Sequence, residues 1–159
     1  HYLDGQVKAG AQALQLFDSW SGSLAPDEFE RWVIAPTVAI VEAIRALHPD
    51  IPIIGFPKGA GAKLPAYARE TGVDAVGLDE TVDPNWAHAE LPEGMPVQGN
   101  FDPQLLLAGG ERIEQRARAI LDALAGRPHI FNLGHGIDRY TPIGHVERIV
   151  AAVREWRPS

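Results

Sequence analysis

The stretch Ile51–Asp79, IPIIGFPKGAGAKLPAYARETGVDAVGLD, decides the fold. It opens with a short apolar run, Ile51–Phe56, and closes with another, Asp74–Asp79. A helical stretch, Lys63–Thr71, lies between them. Neither run shows the polar–apolar alternation of a sheet face open to water, so both read as strands buried on two faces. Two such strands joined through a helix lie parallel in one sheet.

The same alternation continues outward from this unit. Upstream, Ala13–Phe17 (ALQLF) precedes a helical pattern over Pro26–Leu47, with Phe29, Val33, Ile40, Ile44 and Leu47 on one face. Pro36 interrupts that pattern and predicts a kink or two helices, because proline lacks the N–H that the helix ladder needs. Downstream come the strands Met95–Asn100 (MPVQGN) and His129–Leu133 (HIFNL). Ile113, Ala117, Ile120 and Leu124 mark one further helix, and Val146, Ile149, Val150, Val153 and Trp156 mark the last. Asn85–Glu90 is a shorter one. Helix starts are signalled by Asp83-Pro84, Asp102-Pro103 and Thr141-Pro142, each a capping residue followed by proline. The strand ends fall at residues 17, 56, 79, 100 and 133, an average of about 29 residues apart. A (β/α)₈ barrel of ~250 residues has ~31 residues per unit, so five units fit a segment of one. Five strands could equally complete an open doubly wound sheet, and periodicity does not separate the two. Residues 1–159 read as a single segment with no linker, low-complexity tract or internal repeat.

Composition narrows the function. With 45% hydrophobic and 22% charged residues, the chain has an ordinary globular balance. Its net charge of −7 argues against a nucleic-acid or anionic-membrane binder, since both need a positive field. The absence of cysteine excludes disulfides, thiolate metal sites and a cysteine nucleophile from this chain. No run reaches the ~20 apolar residues of a membrane-spanning helix. No secretory leader is visible, and a chain that opens on His1 rather than Met reads as one from which something was removed or as part of a longer protein.

Sites in parallel α/β folds form at the carboxyl ends of the strands. Those ends carry Asp18 and Ser19, then Lys58, Asp79, Asn100 with Asp102, and His135. Each has a plain structural explanation. Ser19 could serve a turn, Lys58 a solvated loop, Asp79 a brace after its strand, and Asn100 and Asp102 a turn and a helix cap. His135 fits such an explanation least, because it stands between Gly134 and Gly136, where small residues allow a ligand close to the backbone. His48, His88 and His145 fall on helices and read as solvated, while His129 reads as a strand-edge residue with a partner. No His-x-His or His-Glu-x-x-His pair gives metal-ligand spacing, and the Lys58-Gly59-Ala60-Gly61 stretch is no phosphate-binding signature. Trp20, Trp32, Trp86 and Trp156 read as core or interface packing.

Three motifs at these ends are similar to a known family. LQLFDSW followed by SG (Leu14–Gly22), QGNFDP (Gln98–Pro103) and FNLGHGI followed by TP (Phe131–Pro142) resemble uroporphyrinogen decarboxylase. VGLD at Val76–Asp79 falls between them in the right order. The resemblance covers essentially the whole chain and corresponds to the C-terminal half of the family's protein. FNLGHGI is its most specific part. Corrinoid methyltransferases share the fold but use zinc with cysteine ligands, which this chain lacks. The resemblance implies an α/β fold made of the C-terminal five βα units of a (β/α)₈ TIM barrel. It implies a carboxy-lyase that removes CO₂ from the four acetate side chains of uroporphyrinogen III, giving coproporphyrinogen III in haem biosynthesis. It implies no cofactor and no metal, a porphyrinogen substrate, no nucleic-acid or membrane partner, a homodimer of the full-length enzyme and a cytoplasmic location. By the motif match Ser19 and His135 bind substrate carboxylates and Phe17 lines the cleft. Lys58 inherits no role. The family's arginine-rich loop, pyrrole-binding aspartate and cleft tyrosine lie in its N-terminal half, and nothing here matches them, so no catalytic residue is assigned in this segment. Arg139 departs from the family, which often has proline after GHGI. Two other readings stand beside this one: a Schiff-base lyase using Lys58 as its amine, and a stand-alone α/β domain that binds carboxylates or porphyrins.

Overall fold

The computed structural model describes residues 1–158. Five strands alternate with helices along the chain. The chain divides into two compact units, one formed by residues 1–77 and 91–95, the other by residues 78–90 and 96 onward.

The first unit begins with helix α1 (Tyr2–Lys8), which the apolar pattern does not predict. It has no buried residue; Asp4 holds it to His48 at 2.8 Å and accepts from Lys8 within the helix at 2.8 Å. Strand β1 (Leu14–Asp18) runs parallel to β2 (Ile53–Pro57), with Leu14 opposite Ile53 and Asp18 opposite Pro57. Strand β3 (Ala75–Gly77) pairs with the other edge of β2. Asp74 fixes the entry to β3: one carboxylate oxygen accepts the Ile53 N–H at 2.7 Å and the other takes Arg45 at 2.6 Å.

Between β1 and β2 the chain is helical from Pro26 to Leu47, but in three registers. Helix α2 (Pro26–Phe29) passes into a wider π-helical turn over Glu30–Ile34 and then into helix α3 (Ala35–Leu47). The wide turn falls just before Pro36, where an α-helical turn would press the proline ring onto the Trp32 carbonyl. The expected kink is thus absorbed as a change of helix type. The extra residue rotates the faces. Thr37, Val41 and Ile44 are buried, while Ile40 and Leu47, expected on the core face, stay 41% and 62% exposed. Helix α4 (Leu64–Glu70) lays Tyr67 against Gly55, where a Cβ would stand 2.5 Å from the phenol oxygen.

The second unit contains helix α5 (Pro84–Glu90), strand β4 (Val97–Phe101), helices α6 (Pro103–Ala108) and α7 (Arg112–Ala123), strand β5 (His129–Leu133) and helix α8 (Ile143–Glu155). Strands β4 and β5 are parallel, with Val97 opposite His129 and Phe101 opposite Leu133. Phe101, Leu106, Ile113, Ile120 and Leu124 form a fully buried core. Arg148 clamps α8 to α7 through two bonds to the Glu114 carboxylate, at 2.7 and 2.8 Å. Trp156 donates its indole N–H to Asp122 at 2.7 Å.

The caps follow the sequence in two cases of three. Asp83 Oδ1 accepts the N–H groups of Asn85 and Trp86, and Asp102 Oδ1 accepts that of Gln104 at 2.8 Å. Thr141 does not cap α8, which starts at Ile143 with Pro142 before it. Asp138 claims that stretch instead: its carboxylate takes the Tyr140 N–H and its carbonyl the Thr141 N–H. Trp86 and Trp156 are half-buried as packing residues, but Trp20 and Trp32 are 84% and 58% exposed and belong to no core. His48 and His145 are not simply solvated: His48 binds Asp4, and His145 binds the Leu106 carbonyl at 2.8 Å. Among the described residues no helix is long and apolar enough to cross a membrane.

Candidate functional site

In the first unit the chain turns sharply after β1 and exposes two of the predicted residues. Phe17 is 72% exposed and touches Phe56 edge-on, with ring centroids 6.4 Å apart. Ser19 is exposed. The turn that presents them is built from polar side chains. Asp18 Oδ1 accepts the N–H groups of Trp20 at 3.0 Å and Ser21 at 2.9 Å. The buried Ser21 hydroxyl donates to the Lys58 carbonyl at 3.1 Å. The Gly22 N–H bonds the same carbonyl, and the Lys58 N–H returns to the Asp18 carbonyl. Gly22 lies so close to the Gly59 backbone that a Cβ would stand 2.5 Å from its carbonyl oxygen. Gly59 itself has φ 73°, which a residue with a side chain adopts only with strain.

Lys63, which the sequence did not single out, completes this turn. Its ammonium donates to the carbonyls of Gly22 at 3.0 Å and Leu24 at 2.7 Å and lies 5.1 Å from the Phe29 ring centre. Lys58, the lysine that was singled out, is half-buried at the end of β2, and its backbone is a junction for the turn. An open groove of about 260 Å³ runs beside β1, lined by Phe17, Asp18, Trp32 and Tyr67 among others. Burial, opposed by a hydrogen bond with Thr37 and reinforced by Asp18, holds the Tyr67 phenol above its ordinary pKa.

In the second unit Asp79 is the brace that the plain reading expected. It is buried, and its carboxylate accepts the Thr81 N–H at 2.9 Å and the Thr81 hydroxyl. Asn100 is not a simple turn residue. It is 1% exposed, and its amide donates to the carbonyls of Asp79 at 2.9 Å and Val82 at 2.6 Å. Gly134 follows β5, donates its N–H to the Phe101 carbonyl at 2.7 Å, and packs on the Asp79–Glu80 backbone. His135 and Gly136 are then exposed. His129 donates from Nε2 to the Gly99 carbonyl at 2.6 Å, the partner expected of it. Burial depresses its pKa, and the Gly99 carbonyl opposes that only in part.

Phe17, Ser19 and Lys58 are therefore neighbours at the strand ends of one unit, and Asp79, Asn100 and His135 occupy the strand ends of the other. Among the described residues no group of three His, Asp or Glu side chains could hold a metal ion.

In α/β barrels sites form at the carboxyl ends of the parallel strands, and polar residues occupy those ends here. The comparisons narrow this class. A family profile described as "Uroporphyrinogen decarboxylase (URO-D)" matches residues 1–156. The chain is 68% identical over 156 residues to the uroporphyrinogen decarboxylase of Erythrobacter litoralis, covering 98% of this chain and 46% of that protein. It is 69% identical over 153 residues to that of Rhizorhabdus wittichii, covering 96% of this chain and 44% of the relative. Among solved structures, a methyltransferase from Methanosarcina mazei superposes with a TM-score of 0.83 at 19% identity, over 97% of this chain and 45% of that one. That likeness shows a shared fold. The chain belongs to the uroporphyrinogen decarboxylase family, and its five βα units are part of a (β/α)₈ barrel. It spans a little under half the length of the relatives it matches.

Proposed function

We propose that this chain is the C-terminal part of a uroporphyrinogen decarboxylase and supplies one wall of its substrate site. The observation that carries the reading is the match to that family over residues 1–156, with the motifs FDSW and GHG set at strand ends. The reaction converts each acetate side chain of uroporphyrinogen to a methyl group and releases CO₂. A pyrrole carbon takes up a proton, and the ring becomes a cationic electron sink. The C–CO₂ bond breaks into that sink. The exocyclic carbon is then protonated and the ring proton is lost. The substrate supplies its own electron sink, so no cofactor is called for.

The chain's own residues have binding roles in this scheme. The Ser19 hydroxyl donates to a substrate carboxylate, and the rigid turn around it is suited to placing a single donor. The exposed ring of Phe17 offers a face to the macrocycle. His135 binds a second carboxylate from a loop with room for a ligand near its backbone. The net charge of −7 suits a polyanionic substrate poorly, so the cations that bind the remaining carboxylates, and the aspartate that binds the pyrrole N–H groups, belong to the rest of the protein. The full-length protein is a cytoplasmic homodimer in this reading. The test is coproporphyrinogen formation by the complete protein with Ser19→Ala or His135→Ala. Reduced turnover in both supports the assignments, and unchanged kinetics in both sinks them.

A further inference from the structure

We propose that Asn100 is the positioning residue for His135, acting through the turn at residues 79–82. The inference rests on the reading of His135 as a substrate-binding residue and adds how its place is set. Asn100 is the penultimate residue of β4 and is 1% exposed. Both hydrogens of its amide are committed to the turn: Nδ2 donates to the Asp79 carbonyl at 2.9 Å and to the Val82 carbonyl at 2.6 Å. The turn is thus gripped at both ends by one side chain. Asp79 binds Thr81 within the same turn, so the segment has a fixed shape as well as a fixed place.

Gly134 rests on that turn. A Cβ at Gly134 would collide with the Glu80 backbone nitrogen and stand 2.8 Å from the Glu80 Cα. The Gly134 N–H also reaches the carbonyl of Phe101, the residue after Asn100. Beyond Gly134 the support stops: His135, Gly136 and Ile137 are exposed, and a Cβ at Gly136 would meet nothing within 4 Å. The next fixed point is Asp138, whose carboxylate accepts the Tyr140 N–H. The entry of His135 into the loop is therefore set at Gly134, and Gly134 is set by the turn that Asn100 holds. An aspartate at residue 100 would turn two donors into acceptors facing two carbonyl oxygens, which reverses the sign of both contacts.

The test reads the loop directly and needs no turnover. The intact protein is labelled at histidine Cε1, and the His135 signal is assigned by its disappearance in His135→Gln. In Asn100→Asp the His135 signal is expected to move, and the Gly134 amide to exchange about tenfold faster or more. The signal of His145, bonded to the Leu106 carbonyl in the same unit, is expected to stay in place. Asn100→Ser, which keeps one donor in a smaller volume, is used if the aspartate variant does not fold. In the unsubstituted protein the Thr81 and Gly134 amides are expected to share one opening equilibrium, because they belong to one packed assembly. A folded variant with His135 and Gly134 unchanged overturns the proposal. So does protection of Thr81 and Gly134 that differs by more than about tenfold. Either result leaves the substrate role of His135 to be judged by the kinetics of His135→Ala.

Discussion

The turn after β1 and the loop after β5 each present one exposed residue with a proposed substrate role, and each has a glycine too close to neighbouring backbone for a Cβ, Gly22 and Gly134, but they differ in how many side chains reinforce that fit. The first is fastened by side chains. Asp18 and Lys63 satisfy backbone groups from Trp20 to Leu24, Ser21 ties the turn to the Lys58 carbonyl, and the bonds are spread over several partners. The second is fastened by shape. Gly134 has no side chain to bond with and sits where only a hydrogen fits against Glu80. A network of partial bonds can lose one member and keep its form. A steric fit fails when one atom is added. Loss of one side-chain bond in the first turn should therefore cost less than one atom added at the glycine of the second.

The largest effect is expected at Gly134. Gly134→Ala should lower stability by about 3 kcal/mol, the upper part of the overpacking range, since the obstacle is backbone rather than a flexible side chain. Urea unfolding measures it, and a loss under about 1 kcal/mol would show that the loop can shift. Asp18→Ala comes next. It strips the acceptor from two N–H groups and should cost about 1–2 kcal/mol, as loss of a helix cap does. Asp18→Asn keeps one acceptor and should recover most of that. Equal losses in both would mean that the network does not hold the turn.

Much of this was legible in the sequence, and the exceptions have physical causes. All five strands lie where the apolar runs put them, although burial on both faces holds only for β2, β3 and β4, while β1 and β5 leave Phe17 and Ile130 exposed. Asp83 and Asp102 announced their helices because a cap acts locally. The face of the long helical stretch was misjudged at Ile40 and Leu47, because a π-helical turn changes the period that the reading assumed. Helix α1 escaped because it buries nothing and so leaves no apolar stripe. In the site, GHG and FDSW stood out as motifs. Asn100 was picked out at a strand end and in QGNFDP but read as a turn residue, and Lys63 was not picked out at all, because their importance lies in bonds to backbone 21 and 39 residues away, which no local pattern encodes.

Two smaller effects sharpen the contrast between the loops. His129 has a depressed pKa, from burial, and its ordinary value is 6.5. Below about pH 6.5 the unfolded chain binds a proton that the folded one resists, so stability should fall as pH falls through that range. His129→Gln keeps a donor for the Gly99 carbonyl and removes the titration, so its unfolding midpoint should vary less between pH 7.5 and pH 5.5 than that of the unsubstituted protein (about one unit to each side of 6.5). A matching pH slope in both proteins would move the effect to another group. The smallest change is expected at Ser19. It is exposed and its hydroxyl carries none of the bonds that build the turn, so Ser19→Ala should alter stability by no more than about 0.5 kcal/mol.

That near-neutrality makes Ser19 a clean probe of function. The decisive measurement is the rate of coproporphyrinogen formation from uroporphyrinogen by the complete protein, with and without Ser19→Ala and His135→Ala. Loss of one hydrogen bond to a charged carboxylate should lower kcat/KM by roughly 10- to 100-fold in each variant. Kinetics within about twofold of the unsubstituted protein for both would contradict the substrate roles of these strand ends, and no turnover by the unsubstituted complete protein would contradict the decarboxylase reading itself.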